Sequence, residues 1–134
     1  MTSTKNLLGR KTLLWGIAAL CWTLLIAYLC LIKSDNFNKF ETFSIPHKDK
    51  YVHFTFYFVF TILWCKQLIQ SNIHKVKTKW LVFGIGVSYG ISIELLQNSI
   101  ESIGRSADIN DVLANTAGSL TGLLALRFFD KNET

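Results

Sequence analysis

The chain has 134 residues, half of them hydrophobic, and a net charge of +5. That length bounds it to one domain, 1–134, and a water-soluble domain this small could not hide apolar residues that come in long blocks rather than at amphipathic spacing. The basic excess flanks those blocks, which points to phospholipid headgroups as partners and excludes nucleic acid.

A bilayer span takes about 20 mainly apolar residues, so the blocks can be counted. The first, 13–32, carries no charge. It follows Lys5, Arg10 and Lys11, but it exceeds the core of about 7–15 residues of a signal peptide and no small-x-small cleavage site follows, so it reads as a retained helix. The next segment holds the only proline, Pro46, and Phe37, Phe40 and Phe43. It suits either a short amphipathic stretch on the membrane interface or a loop whose rings touch the bundle. The second block, 52–69, has His53 near its start and Lys66 near its end. His74 lies among lysines in the following loop and reads as solvated. The third block, 80–96, contains Glu94, and the fourth, 112–129, is rich in small residues. The expected fold is all-α, an integral membrane four-helix bundle. Cys21, Cys30 and Cys65 fall inside spans, with neither zinc spacing nor a disulfide framework.

Four spans place both termini on one side. Lys5, Arg10, Lys11, Lys66, Lys75, Lys77, Lys79, Arg127 and Lys131 share that side, against Lys33, Lys39, Lys48, Lys50 and Arg105 on the other. The bias predicts cytoplasmic termini.

Charged groups inside a membrane are costly, so each is a functional candidate. On the second helix Asp49, His53, Tyr57 and Thr61 recur every four residues and share a face. On the third, Gly86, Gly90, Glu94, Gln97 and Glu101 follow steps of four, four, three and four and share another face. On the fourth the stripe is Asp108, Asp111, Asn115, Gly118 and Gly122. Alternating helix direction brings all three polar clusters to the external end. Gly86-x-x-x-Gly90 and Gly118-x-x-x-Gly122 lie deeper, at a spacing that lets helix backbones approach. The simplest arrangement packs the third and fourth helices through these glycines, below a polar pocket. Tyr57 stands beside the pocket and Arg105 covers it. Structural roles compete with this reading: Asp108 or Asp111 as caps of the fourth helix, Asn115 as an interhelical hydrogen-bonding group, and Glu94 as a partner of Arg105.

The run Asp49-Lys50-x-x-His53-x-x-x-Tyr57 resembles the first motif of the VanZ-like family, and Glu94-x-x-Gln97 resembles its second. The stretch Arg105-x-x-Asp108-x-x-Asp111-x-x-x-Asn115-x-x-Gly118-x-x-x-Gly122 resembles its third. The resemblance spans about 46–125. It implies a small multi-pass protein of the bacterial cytoplasmic (inner) membrane, of a family named for a member associated with resistance to the lipoglycopeptide teicoplanin and otherwise linked to cell-envelope phenotypes.

Three uses of the pocket follow. The first is binding of a headgroup or lipid-linked envelope precursor by Lys50, His53, Tyr57, Glu94, Gln97, Arg105, Asp108, Asp111 and Asn115. Lys50 and Arg105 would hold a phosphate, while Gln97 and Asn115 would read hydroxyls or amides. The second is catalysis on a lipid-linked substrate, with His53, Glu94 and Asp111 as candidate acids and bases. No motif such as H-E-x-x-H predicts a metal, although His53, Glu94, Asp108 and Asp111 are ligand types that could hold a divalent cation. The third is transport, which four short helices could support only as a homo-oligomer.

Overall fold

The computed structural model describes residues 2–32, 48–70, 75–100 and 106–131, with side chains described between 9 and 128 in those stretches. Among them the chain forms four α-helices and no strand: α1 (Thr2–Leu31), α2 (Lys48–Gln70), α3 (Lys75–Ser99) and α4 (Ile109–Lys131). The loop phenylalanines with Pro46, His74, Glu101 and Arg105 lie outside the described residues. α2, α3 and α4 run a few residues past both ends of the apolar blocks, because lysine, glutamine and similar end residues continue a helix without being apolar.

The bundle is apolar outside and polar inside. Leu14, Leu24, Trp80, Leu95, Leu113 and Phe128 are all more than half exposed, while His53, Glu94, Gln97, Asn115 and Ser119 are buried. Water would not tolerate such a skin; lipid chains suit it. α1, α2 and α3 are long and apolar enough to cross a membrane. α4 carries Asp111, Asn115 and Ser119 on its buried side. Its outward side, with Leu113, Leu120, Leu124 and Phe128, is as apolar as that of its neighbours.

α2 and α4 start at the same end of the bundle and share the most extensive interface, α3 runs antiparallel to both, and α1 packs on α2 and, less extensively, on α3. The glycines explain the α4 contacts, with a pairing different from the expected one. A Cβ at Gly118 would collide with the Phe54 carbonyl oxygen, and one at Gly122 would stand 2.9 Å from the Phe58 carbonyl oxygen. Gly118 and Gly122 therefore meet α2, not the glycines of α3. Gly86 and Gly90 do face α4, but against side chains: a Cβ there would lie 3.2 Å from Ser119 Oγ and 2.8 Å from Asn115 Nδ2. The reason is angular. At about 100° per residue, Gly118 and Ser119 point to neighbouring sectors of α4. A helix lying in the groove between two others therefore uses the sectors separately.

α1 is fastened by polar contacts that carry no sequence signature. Thr23 accepts at both oxygens: Trp64 Nε1–H donates to its hydroxyl at 3.1 Å and Tyr89 O–H to its carbonyl at 2.8 Å. The adjacent Trp22 donates its Nε1–H to the Phe56 carbonyl at 2.9 Å. The rings of Phe60 and Tyr89 stack at 5.8 Å, with Tyr57 beside both. This aromatic layer lies below the polar groups at the start of α2, although Thr61 and Thr78 are buried beyond it.

Candidate functional site

The polar end is built where the start of α2, the end of α3 and the start of α4 converge. Asp108 sets the entry of α4. Its carbonyl accepts from the N–H groups of Asp111 (3.0 Å) and Val112 (3.4 Å), and its Oδ1 accepts from the Asn110 N–H at 2.8 Å. This is an aspartate N-cap. Its own N–H donates to Glu94 Oε2 at 3.2 Å, which ties the cap to α3.

Lys50 joins the helix starts. Its Nζ donates to Asp108 Oδ2 at 2.9 Å, Asp49 Oδ2 at 3.1 Å and Asp111 Oδ1 at 3.3 Å. The ammonium beside Asp108, helped by the Asn110 N–H, holds that carboxyl below the usual aspartate range. A carboxylate with a lowered folded pKa stabilises the fold above its unfolded pKa, and that contribution is lost as pH falls through the folded value. Asparagine caps as well as aspartate, so Asp108→Asn isolates the charge. Thermal unfolding in lipid nanodiscs should show the variant less stable than wild type near neutrality. The gap should shrink as pH drops below about 3.9, the unfolded aspartate value.

Beneath Lys50 lies a second, buried group. His53 Nδ1 is 3.0 Å from Asn115 Oδ1 and 3.9 Å from Glu94 Oε1, and His53 Nε2 is 3.8 Å from Asp111 Oδ2. Asn115, Glu94, His53 and Asp111 are only 1%, 2%, 4% and 8% exposed, so solvent does little to screen their charges. Among the described residues, Glu94 Oε1 and Asn115 Nδ2 have no hydrogen-bond partner. Above them a recess of about 260 Å³ opens outward, lined by Asp49, His53, Gln97, Ser106, Asp108 and Asp111.

The structure thus brings together Lys50, His53, Glu94, Gln97, Asp108, Asp111 and Asn115. Two of these have other commitments. Lys50 is held by three carboxylates rather than standing free to meet a phosphate. Gln97 Nε2 donates to the Cys30 carbonyl at 2.7 Å, satisfying one of the carbonyls that the last turn of α1 leaves open. Tyr57 is fully buried one turn below His53 and does not line the recess. Arg105 lies outside the described residues. Asp49, which opens the first motif, and Ser106 also line the recess, although neither was counted among the binding residues. Ser119 extends the buried polar line below Asn115, and the step of four from Asn115 was the available signal.

The arrangement can do two things chemically. It offers an acidic, hydrogen-bonding recess at the mouth of an apolar bundle, and it places an imidazole between two buried carboxylates that could take up or release a proton.

No curated protein and no solved structure matches the chain. A family model, VanZ/LLP1, matches residues 17–130 and so takes in α1 as well as the three motif-bearing helices. With four helices of this kind and a match over most of its length, the chain belongs to the VanZ family and is a VanZ-like membrane protein of the cell envelope.

Proposed function

We propose that this protein binds the polar headgroup of a lipid or lipid-linked envelope component in the recess, with the acyl chains lying along the apolar outer helix faces. The observation that carries the reading is the polar recess itself: about 260 Å³ lined by ionisable and amide side chains, at one end of a bundle whose exterior is apolar. In this reading all four helices cross the inner membrane, the termini are cytoplasmic, and the recess faces outward at headgroup depth. Lys50 is already paired, so the recess favours headgroup amines and hydroxyls, which can hydrogen-bond to Asp49, Asp108 and Asp111. Binding of such a precursor would contribute to protection against teicoplanin-type lipoglycopeptides, the property associated with the family's name-giving member.

A catalytic reading is favoured by one observation, His53 lying between Glu94 and Asp111 at 3.9 and 3.8 Å. The same experiment addresses both. Wild type and Asp111→Asn are expressed in a deletion strain, and membrane abundance, lipid precursors co-purifying with the protein and lipoglycopeptide susceptibility are measured on the same cultures. The expected result is equal abundance with loss of the bound lipid species and of protection in the variant. Equal lipid recovery from both proteins would remove the recess as the binding site. A new lipid product seen only with wild type would replace binding by catalysis.

A further inference from the structure

We infer that His53, Glu94 and Asp111 form a binding site for a divalent transition-metal cation. One ligand atom from each lies within 4.8 Å of the others, and all three residues are buried. The argument rests on how their remaining polar atoms are used. Glu94 Oε2 accepts the Asp108 N–H, Asp111 Oδ1 accepts Lys50, and His53 Nδ1 faces Asn115 Oδ1. Each side chain is therefore oriented by one polar contact and turns another atom inward. Metal-binding imidazoles and carboxylates are commonly fixed in this way, with the second ring N–H donated to an oxygen acceptor.

The inward atoms are not satisfied by one another. His53 Nε2 stands 3.8 Å from Asp111 Oδ2, and Glu94 Oε1 stands 3.9 Å from His53 Nδ1, both too long for hydrogen bonds. Glu94 Oε1, on a side chain only 3% exposed, has no hydrogen-bond partner among the described residues and is aimed into the group. Two ligands on one tetrahedral zinc-like ion stand about 3.3 Å apart, given bonds of about 2.0–2.2 Å. The three ligand atoms, which lie within 4.8 Å of one another, must draw together by up to about 1.5 Å to reach that spacing. Among the described residues, Lys50 contacts Asp49, Asp108 and Asp111 Oδ1, while the ion pair within reach of Glu94 is with His53. A buried carboxylate pair calls for a compensating cation. One imidazole with two carboxylates suits zinc or manganese better than calcium or magnesium, which prefer all-oxygen sites. The site stands on these three residues, whatever occupies the recess above them.

The test uses full-length protein without an affinity tag, in lipid nanodiscs. Metal content is measured by mass spectrometry, and thermal unfolding is followed with ZnCl2, MnCl2, CaCl2 or EDTA. The expected result is a single transition-metal equivalent per chain and an unfolding midpoint that rises with zinc or manganese and falls with EDTA. Glu94→Gln and His53→Ala should lose both responses, while Asp49→Asn, which alters only the outer carboxylates, should keep them. A folded wild type that holds no metal and shows no metal-dependent midpoint overturns the inference. So does a response that persists in Glu94→Gln and His53→Ala, or one that disappears only in Asp49→Asn. Headgroup binding is read separately, from co-purified lipid, so either result can fail without the other.

Discussion

Gly118→Ala should be severely destabilising, although it adds a single methyl group to a helix and alanine is the better helix former. The added Cβ meets the Phe54 carbonyl oxygen, a backbone atom of α2 that no rotamer change can move. α4 must then retreat from α2 along the largest interface in the bundle. Overpacking of this kind costs about 1–3 kcal/mol and occasionally more, and rigid backbone puts this site at the upper end. Gly84→Ala provides the contrast. A Cβ there meets nothing within 4 Å, so only propensity acts, and that favours alanine by about 1 kcal/mol. Membrane abundance and thermal unfolding of the two variants should move in opposite directions. Equal behaviour would mean that α2 and α4 do not pack backbone to backbone at Gly118.

Lys50→Met should produce the largest electrostatic defect. Methionine keeps most of the stem and removes the ammonium that contacts Asp49, Asp108 and Asp111 within 3.3 Å. Asp108 and Asp111 then repel each other across the first turn of α4, and Asp49 faces them from α2. The pairs are partly exposed, so solvent screens part of the effect. The apparent unfolding midpoint should nevertheless fall by several degrees near neutral pH. Two further results separate charge from packing. Adding Asp111→Asn should recover part of the loss, because it removes one of the repelling groups. Lowering the pH through the carboxylate range should also narrow the gap to wild type. A defect that ignores both would assign Lys50 a packing role instead.

The two substitutions probe different layers of the same end of the molecule. Gly118 sets how closely α4 approaches α2, and that approach sets the distance from Asn115 and Asp111 to His53. Lys50 sets the charge balance above that cluster. A change at Gly118 should therefore disturb every property of the recess together. A change at Lys50 should alter its charge while leaving the His53–Asn115 contact of 3.0 Å in place.

Much of this was readable in the chain. Four apolar blocks fixed the number and order of the helices, because the hydrocarbon thickness sets a length that sequence alone can meet or fail. Steps of three and four residues placed His53, Glu94, Asp111 and Asn115 on single faces, and alternating helix direction put those faces at one end. The motifs around them were enough to suggest the family. What the residues could not supply was the identity of each neighbour. Gly118 and Ser119 are adjacent in sequence yet face different helices, since α4 lies in a groove between two partners. Lys50 looked like a cation for a phosphate until the fold surrounded it with three carboxylates. Gln97 looked like a ligand reader until the end of α1 presented an open carbonyl. Periodicity assigns a residue to a sector of its own helix; only the packing of helices decides what that sector meets.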